Sequence, residues 1–145
     1  MPPFTVRLAP WNTDADLIRA VRETVFIEEQ NVPTHLEVDG TDPEYLHFLA
    51  LNQHRKPIGT ARLHPTTGRV GRMAVLEPWR HAGIGSTLMQ TIIDHAKTLP
   101  LSELNLHAQV SAVPFYEKFS FTVAGPEFLE ANIPHLPMSL ALHLA

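Results

Sequence analysis

The sequence predicts one domain of mixed α and β structure, and three observations carry that class. A length of 145 residues suits one compact domain rather than two, and 44% hydrophobic residues can bury a sizeable core. The first half reads mostly as short strands joined by Pro- and Gly-containing connections. In the second half, helical apolar spacing falls between strand-like runs.

Taken in order, "FTVRLA" (4–9) alternates and reads as a strand. "TDADLIRAVRETVF" (13–26) opens on a Thr13/Asp16 capping-box pattern and carries Leu17, Ile18, Val21 and Val25 at helical spacing. Residues 31–44 are rich in turn formers, with a tight turn expected at Asp39-Gly40. "YLHFLALN" (45–52), "PIGTARLH" (57–64) and "RVGRMAVL" (69–76) follow as three strands of a meander. Ile84, Leu88, Ile92 and Ala96, with Met89 and Ile93 beside them, form the apolar stripe of a helix that stops before Pro100. "ELNLHAQV" (103–110) is a strand, "AVPFYEKFSF" (112–121) a short helix running into a strand, and "PMSLALHLA" (137–145) the closing strand.

Composition narrows the function. Without cysteine there are no disulfides, thiolate metal sites or cysteine nucleophiles, which fits a reducing, cytoplasmic setting. No apolar run approaches the roughly 20 residues that span a bilayer, and "MPPFTVRLAP" lacks the pattern of a secretory leader, so no membrane partner is expected. A net charge of −4 argues against nucleic acid as a partner. Nine scattered histidines show no H-x-x-x-H or HExxH spacing, so no metal is expected. The charges are, however, unevenly distributed. Glu23 to His54 holds seven acids and no Lys or Arg, whereas Arg55 to Arg80 holds six basic residues against Glu77 alone. Two such blocks suggest one region facing a cation and another facing an anion. For Arg62 and Arg72, pairing with buried carboxylates of the acidic block is the simpler reading, and Trp11 and Trp79 read as packing residues.

"RHAGIGSTL" (80–88) sits between a strand and a helix N-terminus. There the first helical N–H groups lack intrahelical partners and the helix dipole is positive. Gly83 and Gly85 leave that backbone bare, and Arg80 adds a forked positive charge, a combination suited to phosphate oxygens. Taken alone, the two glycines would equally make a tight turn. Other glycine motifs do not fit: no Gly-Lys-Ser/Thr follows, Leu88 replaces the third glycine of a dinucleotide fingerprint, and Ile84 replaces the serine of an esterase elbow. The remaining reading is a diphosphate held by backbone amides and arginine without a metal.

"RMAVLEPWRHAGIGSTLM" (72–89) resembles motif A of the GNAT superfamily of acetyl-CoA-dependent N-acyltransferases, and "VPFYEKFSF" (113–121) resembles its second signature. "RETVFIEEQNVP" (22–33), "EVDGTD" (37–42) and Ile-Pro-His (133–135) followed by Met138 are similar to the ElaA-like branch. The likeness covers almost the whole chain. It implies a single domain over 1–145, with a central, mostly antiparallel, splayed sheet flanked by helices. It implies acetyl-CoA as cosubstrate, its pyrophosphate against the amides of Arg80, His81, Ala82, Gly83, Ile84, Gly85 and Ser86. Its pantetheine arm would run along the strand through Met73, Ala74 and Val75 like an added strand. Dimers are common in the family, so a homodimer is compatible. Two positions depart from the pattern: His81 or Ala82 stands where the family often has glycine, and Ser120 replaces another.

That resemblance gives Tyr116 the general acid's position, facing the departing thiolate, and the Val75 N–H that of an oxyanion donor. With no cysteine and no serine elbow, direct attack by an amine in a ternary complex is the simpler course. The base stays open among Glu29, His47, His107 and His135, of which Glu29 and His135 lie in branch-like segments and are expected to line the acceptor cleft. The acidic block favours a small, cationic amine as acceptor. A non-catalytic module that senses acyl-CoA would keep residues 72–89 and lose the acid and the acceptor-side groups. A purely structural domain would use the loop only as a turn.

Overall fold

The protein is described from a computed structural model that covers residues 2–142. Among the described residues, strands and α-helices follow in the order β1 (Phe4–Leu8), α1 (Trp11–Arg22), α2 (Thr34–Glu37), β2 (Leu46–Asn52), β3 (Pro57–Leu63), β4 (Val70–Val75), α3 (Ile84–Ala96), β5 (Glu103–Gln109), α4 (Val113–Glu117), β6 (Thr122–Val123), β7 (Phe128–Glu130) and β8 (Ile133–Ala141). Strands β1-β2-β3-β4 form one antiparallel sheet; β5-β8-β6, with β7 also on β8, form a second.

Alternation along β2 shows how the first sheet is covered. Phe48 and Ala50 pack with Ile84, Leu88 and Ile92 of α3, whereas Leu49 and Leu51 pack with Ile18 of α1 on the opposite face. All six apolar positions of the α3 stripe are buried. Sequence and structure agree there because a helix between two layers needs that spacing.

The start of α1 differs from expectation. Pro10 precedes the first helical residue and no side chain caps it, while the Thr13 hydroxyl lies within the helix and donates to the Pro10 carbonyl. Proline with its fixed φ serves as the entry instead of a Thr/Asp box. Past Arg22 the helix widens into a π-helical stretch, Glu23–Glu29. Asp39-Gly40 does turn: Gly40 has φ 78°, and the Asp39 carboxylate accepts from both the amide and hydroxyl of Thr41. The closing strand begins at Ile133, four residues before the expected start, and residues 143–145 of that prediction lie outside the described residues.

The two sheets meet at one point. Arg69 and Asn105 form an isolated parallel bridge, with the Asn105 amide donating to the Gly68 carbonyl at 3.0 Å. Gly68 has φ 74°, and a Cβ there would come within 2.3 Å of the Glu103 carbonyl oxygen, so no other residue lets β4 and β5 approach so closely. Beyond that bridge β4 and β5 are not paired, and the sheets splay toward the ends of both strands.

Candidate active site

On its far side β4 has, among the described residues, no partner strand beyond the bridge at Arg69. The Leu76 amide donates across to Ile58 of β3, so by strand alternation the amide and carbonyl of Val75 point to the open edge. The Val75 carbonyl accepts there from Arg80 Nε at 2.8 Å. A bulge interrupts the strand: Arg72 and Met73 together oppose Ala61, and Arg72 takes φ 48°, a left-handed conformation that costs an L-residue about 1 kcal/mol.

The open edge leads into the loop 80–83 and the N-terminus of α3. Gly83 precedes the helix at φ 86°, and no side chain caps its first turn. An added Cβ on Gly83 would meet nothing within 4 Å, so this glycine is set by its backbone angle. A Cβ on Gly85 would reach the Phe115 ring at 3.5 Å, an ordinary contact. His81 is also left-handed, at φ 61°, so the loop turns twice before the helix starts. Arg80 does not reach outward here: its Nη2 is 2.7 Å from Glu29. With Val75 and Glu29 as its partners, the forked charge ties loop to strand, and the first amides of α3 have no intrahelical partner.

In the splay between β4 and β5 lies a cavity of about 570 Å³. Met73 and Gly71 of β4, Leu106 and His107 of β5, Phe26 and Gln30 of the π-helical stretch, Tyr116 of α4, and Glu130 and His135 of β7 and β8 line it. Tyr116 is half-buried beside Phe115, with ring centroids 5.1 Å apart. Among the described residues no hydrogen bond holds its hydroxyl, and burial pushes the phenol up to about 12. His135 is buried, its Nδ1 2.6 Å from the Ile133 carbonyl, and its ring stacks on Phe128. His107 lies between Arg69 and Glu130. Among the described residues, no three His, Asp or Glu side chains are arranged to hold a metal ion.

The acidic block is largely consumed internally. Arg22, 1% exposed, grips both Glu37 oxygens at 2.9 Å and reaches Asp42 at 2.6 Å. Arg62 pairs with Asp42 at 2.8 Å and Asp39 at 3.2 Å, and Arg72 lies 2.8 Å from Glu37. Burial alone would raise the Asp42 carboxyl; the guanidiniums of Arg22 and Arg62 outweigh it and hold it low. Burial works the same way on Asp39, where Thr41 and Arg62 pull it well below the carboxylate range. His47 sits behind this cluster, 2% exposed, with Nε2 2.8 Å from the Asp42 carbonyl; burial lowers it and keeps the ring neutral.

The acetyltransferase (GNAT) domain family matches residues 15–142. The chain is a member of the GNAT acetyltransferase family. YjcF of Bacillus subtilis, an uncharacterized N-acetyltransferase, is 40% identical over 121 residues, covering 81% of this chain and 86% of YjcF. An acyl-CoA N-acyltransferase from Pseudomonas aeruginosa superposes with a TM-score of 0.82 at 26% identity, over 97% of this chain and all of that one. Escherichia coli ElaA shares the fold, with a TM-score of 0.81 at 24% identity over 96% of this chain and 99% of ElaA.

Within this GNAT acetyltransferase, the expected site residues separate into three places. Tyr116, His135, His107 and Met73 share the cavity. Val75 and residues 80–86 form the adjoining edge and helix start. Glu29 stands apart from the cavity lining, paired with Arg80, because the π-helical stretch carries it toward the loop. That placement sets Glu29 beside the loop rather than in the cavity. In the acidic block, Glu37 and Asp39 line the cavity, and Glu37, Asp39 and Asp42 are paired with arginines. His47, buried behind the cluster, is not in the lining. Glu130 went unnoticed in the sequence, where nothing marks an exposed glutamate after Phe-Leu as a site residue.

Proposed function

We propose that this GNAT acetyltransferase transfers an acetyl group from acetyl-CoA to a primary amine by direct attack in a ternary complex. The observation that carries the reading is the open edge of β4 running straight into the uncapped N-terminus of α3. The edge offers the Val75 C=O to an amide-rich arm and the Val75 N–H to the thioester at its end, and the helix start offers N–H groups to a diphosphate. Residues 81–86 and the backbones of Met73, Ala74 and Val75 would hold the cosubstrate, which supplies an activated thioester when bound.

The chain's own groups then have distinct tasks. The Val75 N–H, fixed at the strand edge, donates to the carbonyl oxygen on which negative charge develops. Tyr116 keeps its proton at every working pH and gives it to the departing thiolate. Donation from a phenol at about 12 to a thiolate near 8.5 runs uphill, so Tyr116 is reprotonated by the proton the amide nitrogen sheds. His135 receives the first proton of the ammonium, which lets the neutral amine attack. Arg80 and Glu29 hold the loop against β4.

The acceptor is a small-molecule amine. Among the cavity-lining residues Arg62, Arg69 and Arg72 balance Glu37, Asp39 and Glu130, so the cavity selects an amine end rather than a polycation. A reducing compartment that supplies acetyl-CoA, the cytoplasm, is where this chemistry belongs. An amine panel with acetyl-CoA, followed by free-thiol release, tests the proposal. Turnover is expected with at least one small amine, and coenzyme A binding without turnover on any of them would favour a sensor of acyl-CoA.

A further inference from the structure

The β7–β8 hairpin closes through two residues, Ala131 and Asn132, both at positive φ (51° and 62°), the geometry of a tight hairpin turn. Its register pairs Glu130 with Ile133 and Phe128 with His135, while β5 pairs Gln109 with His135. With side chains alternating, Glu130, His135 and His107 all lie on the face that lines the cavity.

Hydrogen-bond chemistry fixes the protons of both histidines. The Ile133 carbonyl can only accept, so the nitrogen 2.6 Å from it, His135 Nδ1, carries the hydrogen. That leaves the lone pair on His135 Nε2, which lies 3.7 Å from Glu130 Oε2. At His107 the opposite constraint applies. Arg69 Nη1 can only donate, and it lies 3.1 Å from Nε2 and 3.4 Å from Nδ1. With Nε2 accepting, Nδ1 carries the hydrogen and donates to Glu130 Oε1 at 3.0 Å. Each Glu130 oxygen thus faces one histidine. One accepts a proton already in place; the other faces a nitrogen without one. A lone pair opposite a carboxylate is unfavourable until a proton lies between them.

We propose that Glu130, held by His107, which Arg69 orients in turn, is the positioning residue that makes His135 Nε2 the proton acceptor for the incoming amine. The inference rests on the reaction proposed above. In the step, one N–H bond of the ammonium breaks and an Nε2–H bond forms; the amine keeps the electron pair, and the positive charge moves to the imidazole beside the Glu130 carboxylate. Other charged groups on this cavity do not compete: Glu37, Asp39, Arg62 and Arg72 are paired with one another on the opposite wall, and Tyr116 stays neutral.

Two measurements test it. Histidine side-chain ¹H–¹⁵N spectra of the unliganded chain near pH 8, assigned with His135→Gln and His107→Gln, are expected to show the Nδ1–H tautomer at both residues. Steady-state kinetics of Glu130→Gln should show kcat lower by about tenfold or more, because the new amide presents an N–H to Nε2 and occupies the lone pair. The KM for acetyl-CoA should stay within about twofold, and Glu130→Asp should recover part of the rate. An Nε2–H tautomer at His135 overturns the proposal, as does a folded Glu130→Gln with parental kcat. The tautomer is read without turnover. A parent inactive on every amine would therefore sink the reaction reading, and the spectra would still judge this one.

Discussion

Tyr116 is surrounded by rings, with Phe115 and Phe121 centroids at 5.1 and 6.1 Å, and this apolar company both locks its orientation and holds its proton. Tyr116→Phe keeps that packing and removes only the hydroxyl. The expected result is a kcat lower by about 10²- to 10⁴-fold with the KM for acetyl-CoA little changed, read from initial rates. A rate within about twofold of the parent would make the residue a packing tyrosine. Arg22 is the opposite kind of residue, remote from the chemistry and important for the fold. It is the last residue of α1, and its guanidinium neutralises Glu37 and Asp42, which Arg72 and Arg62 also reach. Removing one partner from such a buried cluster strands charge. Arg22→Met is expected to cost about 3 kcal/mol in urea unfolding, at the low end for a buried pair because the other two arginines remain. The bulged Arg72, strained at φ 48°, is held by the same acids, so the cluster also supports the irregularity in β4.

At the scale of the element, the N-terminus of α3 has two uses that can be separated. Gly85 lies in the first helical turn, where a carboxylate is favourable to the helix by a few tenths to about 1 kcal/mol. The same carboxylate would repel a diphosphate. Gly85→Glu should therefore keep or slightly raise the melting temperature while abolishing coenzyme A binding by calorimetry, and a folded variant with unchanged affinity would refute the pyrophosphate site. This helix was readable from the sequence because its stripe of six apolar residues has one period and both of its faces are decided by packing. The β2–β3–β4 meander was readable for a related reason: short Pro/Gly connections permit little else. The β7–β8 hairpin was not. The expected strand started only at Pro137, yet Pro134 and Pro137 both lie within β8, opposite Leu129 and His107. Ala131 and Asn132 carry none of the glycine that marks such a turn. With the hairpin hidden, so was the register that brings Glu130 to His135. Likewise the π-helical widening after Arg22 gives no periodic signal, and it is what turns Glu29 toward Arg80.

Across the whole molecule, parts of the two charge blocks visible in the sequence meet, with Arg22 of α1, in one buried cluster joining α1, α2, β2, β3 and β4. Their opposite signs were legible, and so was the pairing of Arg62 and Arg72 with buried acids, which the fold achieves by bringing residues 37–42 over β3 and β4. This arrangement ties stability to pH in two stages. Asp42 and Asp39 are held below their ordinary values, so their contribution is complete above about pH 4 and is lost as pH falls further. His47 acts earlier. Burial holds it below its ordinary value of about 6.5, so both folded and unfolded chains carry it neutral at higher pH. As pH drops through that value the unfolded chain takes up the proton first, and the folded state, with His47 donating Nε2–H to Asp42 and stacked on Trp11 at 4.8 Å, loses stability. His47→Gln keeps a donor and cannot charge. It should cost stability at pH 8, by about 1–2 kcal/mol for the lost stacking, and lose less than the parent on going from about pH 7 to pH 5. Urea midpoints at pH 8, 7, 6, 5 and 4 make the comparison. Parallel curves for the two proteins down to about pH 5 would mean that another group takes up the proton. A smaller difference at pH 5 than at pH 8, with both falling steeply below about pH 4, is what the buried cluster requires.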